Sequence, residues 1–154
     1  MEHVATSVGV VTGGRRDPAN SDNWGAVTAT IVVEERFGDD CLAGLADFSH
    51  VEVVFVFHQA TERDGYRARR APRGRADLPA VGVFCDRGPR RPNRIGVTAC
   101  RVLAVEGRRL RVAGLDAVDG TPVLDLKPVM RELLPAEVRQ PEWVAALMRD
   151  YLRE

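Results

Sequence analysis

Four stretches of the sequence place chemically able side chains close together. The first is Phe48-Ser49-His50, with His58 eight residues further on. On a continuous strand His50 and His58 share a face. They would then line a pocket at or near a barrel mouth, where imidazoles can hold or move a proton. Two histidines bonded to backbone carbonyls at strand ends would give the same pattern. Ser49 and His50 are neighbours, so an extended segment points them to opposite faces and excludes a nucleophile–base pair. The second stretch is Asp86-Arg87-Gly88-Pro89-Arg90-Arg91-Pro92-Asn93-Arg94-Ile95-Gly96. Guanidinium forks suit carboxylates and phosphates, and prolines stiffen the loop that carries them. A solvated surface loop is the plain alternative. The third stretch gathers Asp116, Asp119, Asp125 and Lys127 around the turn Asp119-Gly120-Thr121-Pro122. On a regular strand Val123, Asp125 and Lys127 share one face, and Leu124 and Leu126 take the other. The acid and the base there either do chemistry or form an exposed ion pair of small worth. The fourth is Arg67, Arg69, Arg70, Arg73 and Arg75, which would hold phosphates or simply solvate a loop.

Other chemistries are excluded. No Gly-x-Gly-x-x-Gly follows the first expected strand, and no phosphate loop is present. No His/Cys set has zinc-finger spacing, so no metal is expected. The 22 basic and 22 acidic residues cancel, which disfavours a protein that holds nucleic acid by bulk charge. Lys127 is the only lysine among those basic residues. Three cysteines without paired spacing fit reduced thiols. The longest apolar run, Val53 to Phe57, is far short of the roughly 20 residues that span a bilayer. The N-terminus has no basic stretch leading into an apolar one, so no signal peptide and a cytoplasmic location are expected.

The elements that must position these side chains are mostly strands. Val4–Val11, Ala26–Val33, Val51–Phe57, Val81–Phe84, Gly96–Val105, Leu110–Leu115 and Val123–Lys127 read as strands. Residues 15–25 and 60–80 read as loops. Cys41–Phe48 reads as a short helix, with Leu42, Leu45 and Phe48 at spacings of three. Pro141 suits a first helical position, and Trp143, Val144, Leu147, Met148, Tyr151 and Leu152 form one apolar stripe behind it. The expected fold is mainly β. Residues 1–135 form a single barrel of about seven short strands, and residues 136–154 a C-terminal helix docked on it or on a partner.

The ordered motifs carry a resemblance. They are Gly44-Leu45 with Phe48-Ser49-His50, then Phe55-Val56-Phe57-His58, then Gly82-Val83-Phe84 with Arg87. Arg91-Pro92-Asn93 with Ile95-Gly96 follows, and then Leu115-Asp116 with Asp119-Gly120-Thr121-Pro122-Val123-Leu124-Asp125-Leu126-Lys127-Pro128. In this order they resemble the TsaA-like family, that of tRNA methyltransferase O, from about Val8 to Met130. The resemblance implies a β-barrel that binds S-adenosylmethionine outside the Rossmann plan, usually as a homodimer with the cofactor near the subunit interface. It implies methyl transfer to a nitrogen, with N6-threonylcarbamoyladenosine in tRNA as acceptor. A small metabolite as acceptor, or a non-catalytic module that binds S-adenosylmethionine or RNA, are the alternatives. By position the resemblance puts His50, His58, Phe84, Arg87, Arg91, Asn93, Asp116 and Thr121 at the cofactor, and Asp119, Asp125 and Lys127 in catalysis. Three departures stand out. Arg94 replaces the family's second proline in its loop. Asn20-Ser21-Asp22-Asn23-Trp24-Gly25 replaces a Pro-Arg-Gln-like stretch. The extra C-terminal domain of larger members has no counterpart in the 154 residues.

Overall fold

Alternating apolar residues close into a ring of six antiparallel strands in the computed structural model, which describes residues 1–61 and 67–154. The strands are β1 (Gly9–Thr12), β2 (Thr28–Val33), β3 (His50–Val56), β6 (Ile95–Glu106), β7 (Arg109–Ala113) and β8 (Pro122–Pro128). Around the barrel they run β1-β2-β7-β6-β3-β8, and β8 pairs back onto β1. The expected seventh strand is instead half of a separate two-stranded piece. There β4 (Arg69–Arg70) pairs with β5 (Val81–Gly82), inside what the sequence suggests is a loop. The chain then tightens into a 3-10 turn at Val83–Cys85. Part of the expected 60–80 loop, residues 62–66, lies outside the described residues.

The barrel is filled by the inward set of each strand. Val11, Ile31, Val51, Val53, Phe55, Leu110, Val112 and Val123 are fully or almost fully buried. Gly96 faces the same interior, because a Cβ there would lie 2.5 Å from Phe55 Cζ and 2.9 Å from Phe57 Cζ. Those two rings meet edge to face at 5.1 Å.

Three expectations change. Cys41–Phe48 forms turns and one 3-10 turn, Leu45–Asp47, because Gly44 takes a left-handed φ of 84° that ends any α-helix there. β8 carries a bulge: Val54 faces Asp125 while Phe55 faces Val123, leaving Leu124 as the extra residue. Val123 and Leu126 therefore both pack on the core, and Asp125 and Lys127 point outward. The helix is α1, Glu142–Met148, shorter than the apolar stripe. Beyond it the carbonyls of Asp150 and Tyr151 accept hydrogen bonds from the backbone of Asn23 (2.8 Å) and Trp24 (2.8 Å), so the chain leaves the helical path. No helix among the described residues is long and apolar enough to cross a membrane.

Candidate functional site

The antiparallel ring brings three long connections to one end of the barrel. They are residues 13–27 after β1, 57–94 after β3 and 114–121 before β8. His58, Phe84, Arg87, Arg91, Asn93, Asp116, Asp119 and Thr121 all lie on these connections. His50 does not. It opens β3 at the far end, with the strand's full length, roughly 20 Å, between it and His58. The two histidines therefore line no common pocket. Ser49 Oγ and His50 Nδ1 do share a hydrogen bond of 2.8 Å, contrary to expectation, because the strand begins only at His50 and Ser49 sits in a bend.

Segment 114–121 is pinned at three points. The Asp116 carboxylate accepts hydrogen bonds from the Thr98 and Tyr151 hydroxyls, one on each oxygen. Asp119 Oδ1 accepts the Gly13 N–H at 2.8 Å, and Arg16 stands 3.7 Å from Oδ2. The Asp119 N–H donates to the Arg15 carbonyl at 2.7 Å. Thr121 is 2% exposed, and its hydroxyl lies 3.3 Å from His58 Nδ1. A buried hydroxyl needs such a partner. Gly120 adds open space beside them, since a Cβ there would sit 3.9 Å from His58 Nε2.

The loop from Phe84 to Arg94 forms the next wall. The Phe84 side chain is 73% exposed, an unusual state for a large aromatic residue. Arg87 Nη2 donates to the Val97 carbonyl at 2.6 Å, and Arg91 Nη1 to the Asp86 carbonyl at 2.8 Å. Asn93 and Arg94 take left-handed φ angles of 62° and 53°. Proline is locked near about −65°. Arg94 thus holds a backbone that the family's proline cannot, and its guanidinium donates to the Ala60 carbonyl at 3.0 Å.

Asp125 and Lys127 stand apart, on the outer wall. Lys127 Nζ is 2.6 Å from Asp125 Oδ2, and Glu52 is its cross-strand neighbour. The hydrogen bond to Asp125, then that carboxylate's charge, hold the ammonium above its usual pKa, and Glu52 adds to the effect. Among the arginines of the fourth stretch, Arg73 pairs with Asp22 at 2.8 Å and Arg75 with Asp77 at 2.5 Å, while Arg69 bonds the Ala80 carbonyl at 2.9 Å.

Tyr151 is the member of this end that sequence reasoning missed. Its place in an apolar stripe hid a polar tip that needs a partner. Burial first, then the negative charge of Asp116 and its hydrogen bond, push the phenol well above its usual pKa; Arg73 and Arg87 act in the opposite sense. Thr98 was missed for the same reason, as a polar residue inside a strand. Among the described residues no three of His, Cys, Asp and Glu come together as a metal site. An open cavity of about 300 Å³ at the far end, between residues 41–48 and Leu126 and Pro128, contains none of the candidate residues.

The family model for the tRNA-methyltransferase O N-terminal domain matches residues 13–133. That span takes in every candidate residue and all three connections at the site end. The chain belongs to the tRNA-methyltransferase O N-terminal domain family. Relatives bear this out. A tRNA (adenine(37)-N6)-methyltransferase of Mus musculus is 44% identical over 91 residues, covering 59% of this chain and 21% of that protein. One of Escherichia coli is 39% identical over 95 residues, covering 59% of this chain and 40% of that protein. A crystal structure of TrmO from Pseudomonas aeruginosa superposes with a TM-score of 0.74 at 30% identity, covering 93% of this chain and 62% of that one. The mainly β barrel with one C-terminal helix is therefore the fold of this family. The chain spans less than two thirds of each of these relatives.

Proposed function

We propose that the chain is an S-adenosylmethionine-dependent N-methyltransferase, with N6-threonylcarbamoyladenosine in tRNA as its acceptor. The observation that carries this reading is the gathering of the family's motif residues from three distant connections at one end of the barrel. The residues there suit the cofactor. The exposed Phe84 ring offers a stacking face for an adenine. Arg87 and Arg91 suit a carboxylate, and Asp119 suits an ammonium. The space beside Gly120 and His58 gives a ribose or a methionine chain somewhere to lie.

When bound, the cofactor supplies a methyl group on a sulfonium; a nitrogen–carbon bond forms as the sulfur–carbon bond breaks, and the nitrogen loses a proton. The chain's task is mostly positioning, with nucleophile and methyl in line at about 3–3.5 Å. Asp119 stands at the site end and can accept the released proton or offset positive charge. Asp125 is already paired with Lys127, so its part is to fix that ammonium on the outer wall. A second copy covers this wall in the same reading. Ile95 and Val97 are 39% and 38% exposed there, beside Val54, Val56 and the Asp125–Lys127 pair. Apolar residues on an outer barrel face suit an isologous contact.

Labelled S-adenosylmethionine offered with total tRNA, and separately with a small-molecule extract, tests the reading. Label in the tRNA supports it. Label only in the extract moves the acceptor to a metabolite. A second reading, binding without turnover, is favoured by one observation: both Asp119 oxygens are already engaged within the chain. A relative from Methanothermobacter thermautotrophicus, 43% identical over 94 residues, is described as a probable S-adenosyl-L-methionine-binding protein. Tight binding with no labelled product in either fraction would favour it.

A further inference from the structure

The chain after α1 is tied to both sides of the site end. Tyr151 donates its hydroxyl to Asp116, on the same segment as Asp119 and Thr121. The Tyr151 carbonyl accepts the Trp24 N–H at 2.8 Å, and the Asp150 carbonyl accepts the Asn23 N–H at 2.8 Å. These belong to the 13–27 connection, whose Gly13 and Arg15 hold Asp119. The contact is close. A Cβ on Gly25 would lie 2.2 Å from the Leu152 carbonyl oxygen, so that glycine is what admits the chain end. Arg15 stacks over Trp24 at 4.2 Å and donates to the Asn20 and Asn23 carbonyls, which stiffens the same connection. Arg73 completes the junction, with its guanidinium 5.6 Å from the Tyr151 ring and paired to Asp22.

We propose that Tyr151 is a positioning residue: its side chain and backbone clasp the 13–27 connection to segment 114–121 and so set the width of the cofactor site around Asp119. The role rests on the methyltransferase reading, but the clasp itself does not. This connection is where the chain departs from the family's Pro-Arg-Gln-like stretch. Residues 20–25 take their shape here from Arg15, Arg73 and the chain end. Loss of one buried hydrogen bond to a charged group loosens the clasp without unfolding the barrel, whose core makes no use of Tyr151.

The test uses the full chain with Trp143→Phe, which leaves Trp24 as the fluorescent reporter. Trp24 is 5% exposed, so its emission should be that of a buried indole. Tyr151→Phe removes the hydroxyl and keeps the ring. Gly25→Ala displaces the chain end and leaves Tyr151 intact. Both should red-shift Trp24 emission, weaken S-adenosylmethionine binding by calorimetry about tenfold, and leave the main melting transition in place. Tyr151→Phe should raise the KM for the cofactor and leave kcat within about twofold, a split that general destabilisation does not give. Unchanged emission in both variants overturns the clasp. Shifted emission with unchanged cofactor affinity overturns the positioning role. If the unmutated chain binds no cofactor, the methyltransferase reading fails and with it the positioning role, while emission still decides whether the clasp exists.

Discussion

Lys127 stands in the most family-specific motif, yet its ammonium is not an isolated charge. It is 2.6 Å from Asp125 and faces Glu52 across the strands. Arginine there would keep the charge and replace a compact donor with a planar fork. Lys127→Arg and Lys127→Ala should each lower methyl transfer by about tenfold, the scale of one lost charge-assisted contact. The melting temperature should hardly move, because exposed ion pairs contribute little to folding. Methyl-transfer assays beside melting curves check both points. Cys100 acts on stability instead. Burial first, then the nearby Asp116 charge, push its thiol from 9.0 up to about 12. The unfolded chain thus loses this proton first. The stability it contributes is complete below pH 9.0 and is lost as pH rises toward 12, with a slope of about 1.4 kcal/mol per pH unit. Tyr151, also raised, adds to the loss above its own ordinary value. Urea titrations across this range should show the fall, and Cys100→Ala should flatten its first part. Residue types in the sequence revealed the arginines, the aspartates and His58. They did not reveal Tyr151, because a tyrosine in an apolar stripe looks like core.

At the level of the elements, Gly96 decides how closely β6 approaches β3. Its missing side chain is filled by the Phe55 and Phe57 rings. Gly96→Ala should cost about 1–3 kcal/mol by overpacking, read as a lower urea midpoint with an unchanged slope. Strands with clean alternation were legible: Thr28–Val33, His50–Val56 and Ile95–Glu106 fall within two residues of their expected bounds. The bulge in β8 was not, because a run such as Val123-Leu124-Asp125-Leu126-Lys127 is equally good in either register until a partner strand is present. The helix at Cys41–Phe48 failed at Gly44, where left-handed backbone outweighed a spacing of three. The stripe behind Pro141 ran past the true helix end, because the carbonyls of 150 and 151 bond to a loop distant in sequence.

Across the whole molecule, balanced charge and local arginine are compatible, since several of the arginines are spent within the chain on Asp22, Asp77 and carbonyl groups. The expected second copy on the outer wall has a direct check. Val97→Asp should turn a dimer into a monomer in light scattering at micromolar concentration while leaving the barrel's circular dichroism unchanged. A mutant and parent of equal mass would place the interface elsewhere or remove it. The ring closure has a further consequence for how the molecule breathes. β1 has four residues, and only Gly9 and Val10 are in ladder register with β8. The joint is reinforced by Val8 to the Val123 carbonyl, Val11 to the Thr121 carbonyl and Gly120 to the Val11 carbonyl. β3, by contrast, is paired along its length on both sides. Native-state deuterium uptake should therefore begin at the amides of Val8, Val11 and Gly120, long before those of Val51 and Val53. The barrel has a zip line, and it runs directly beneath Asp119 and Thr121.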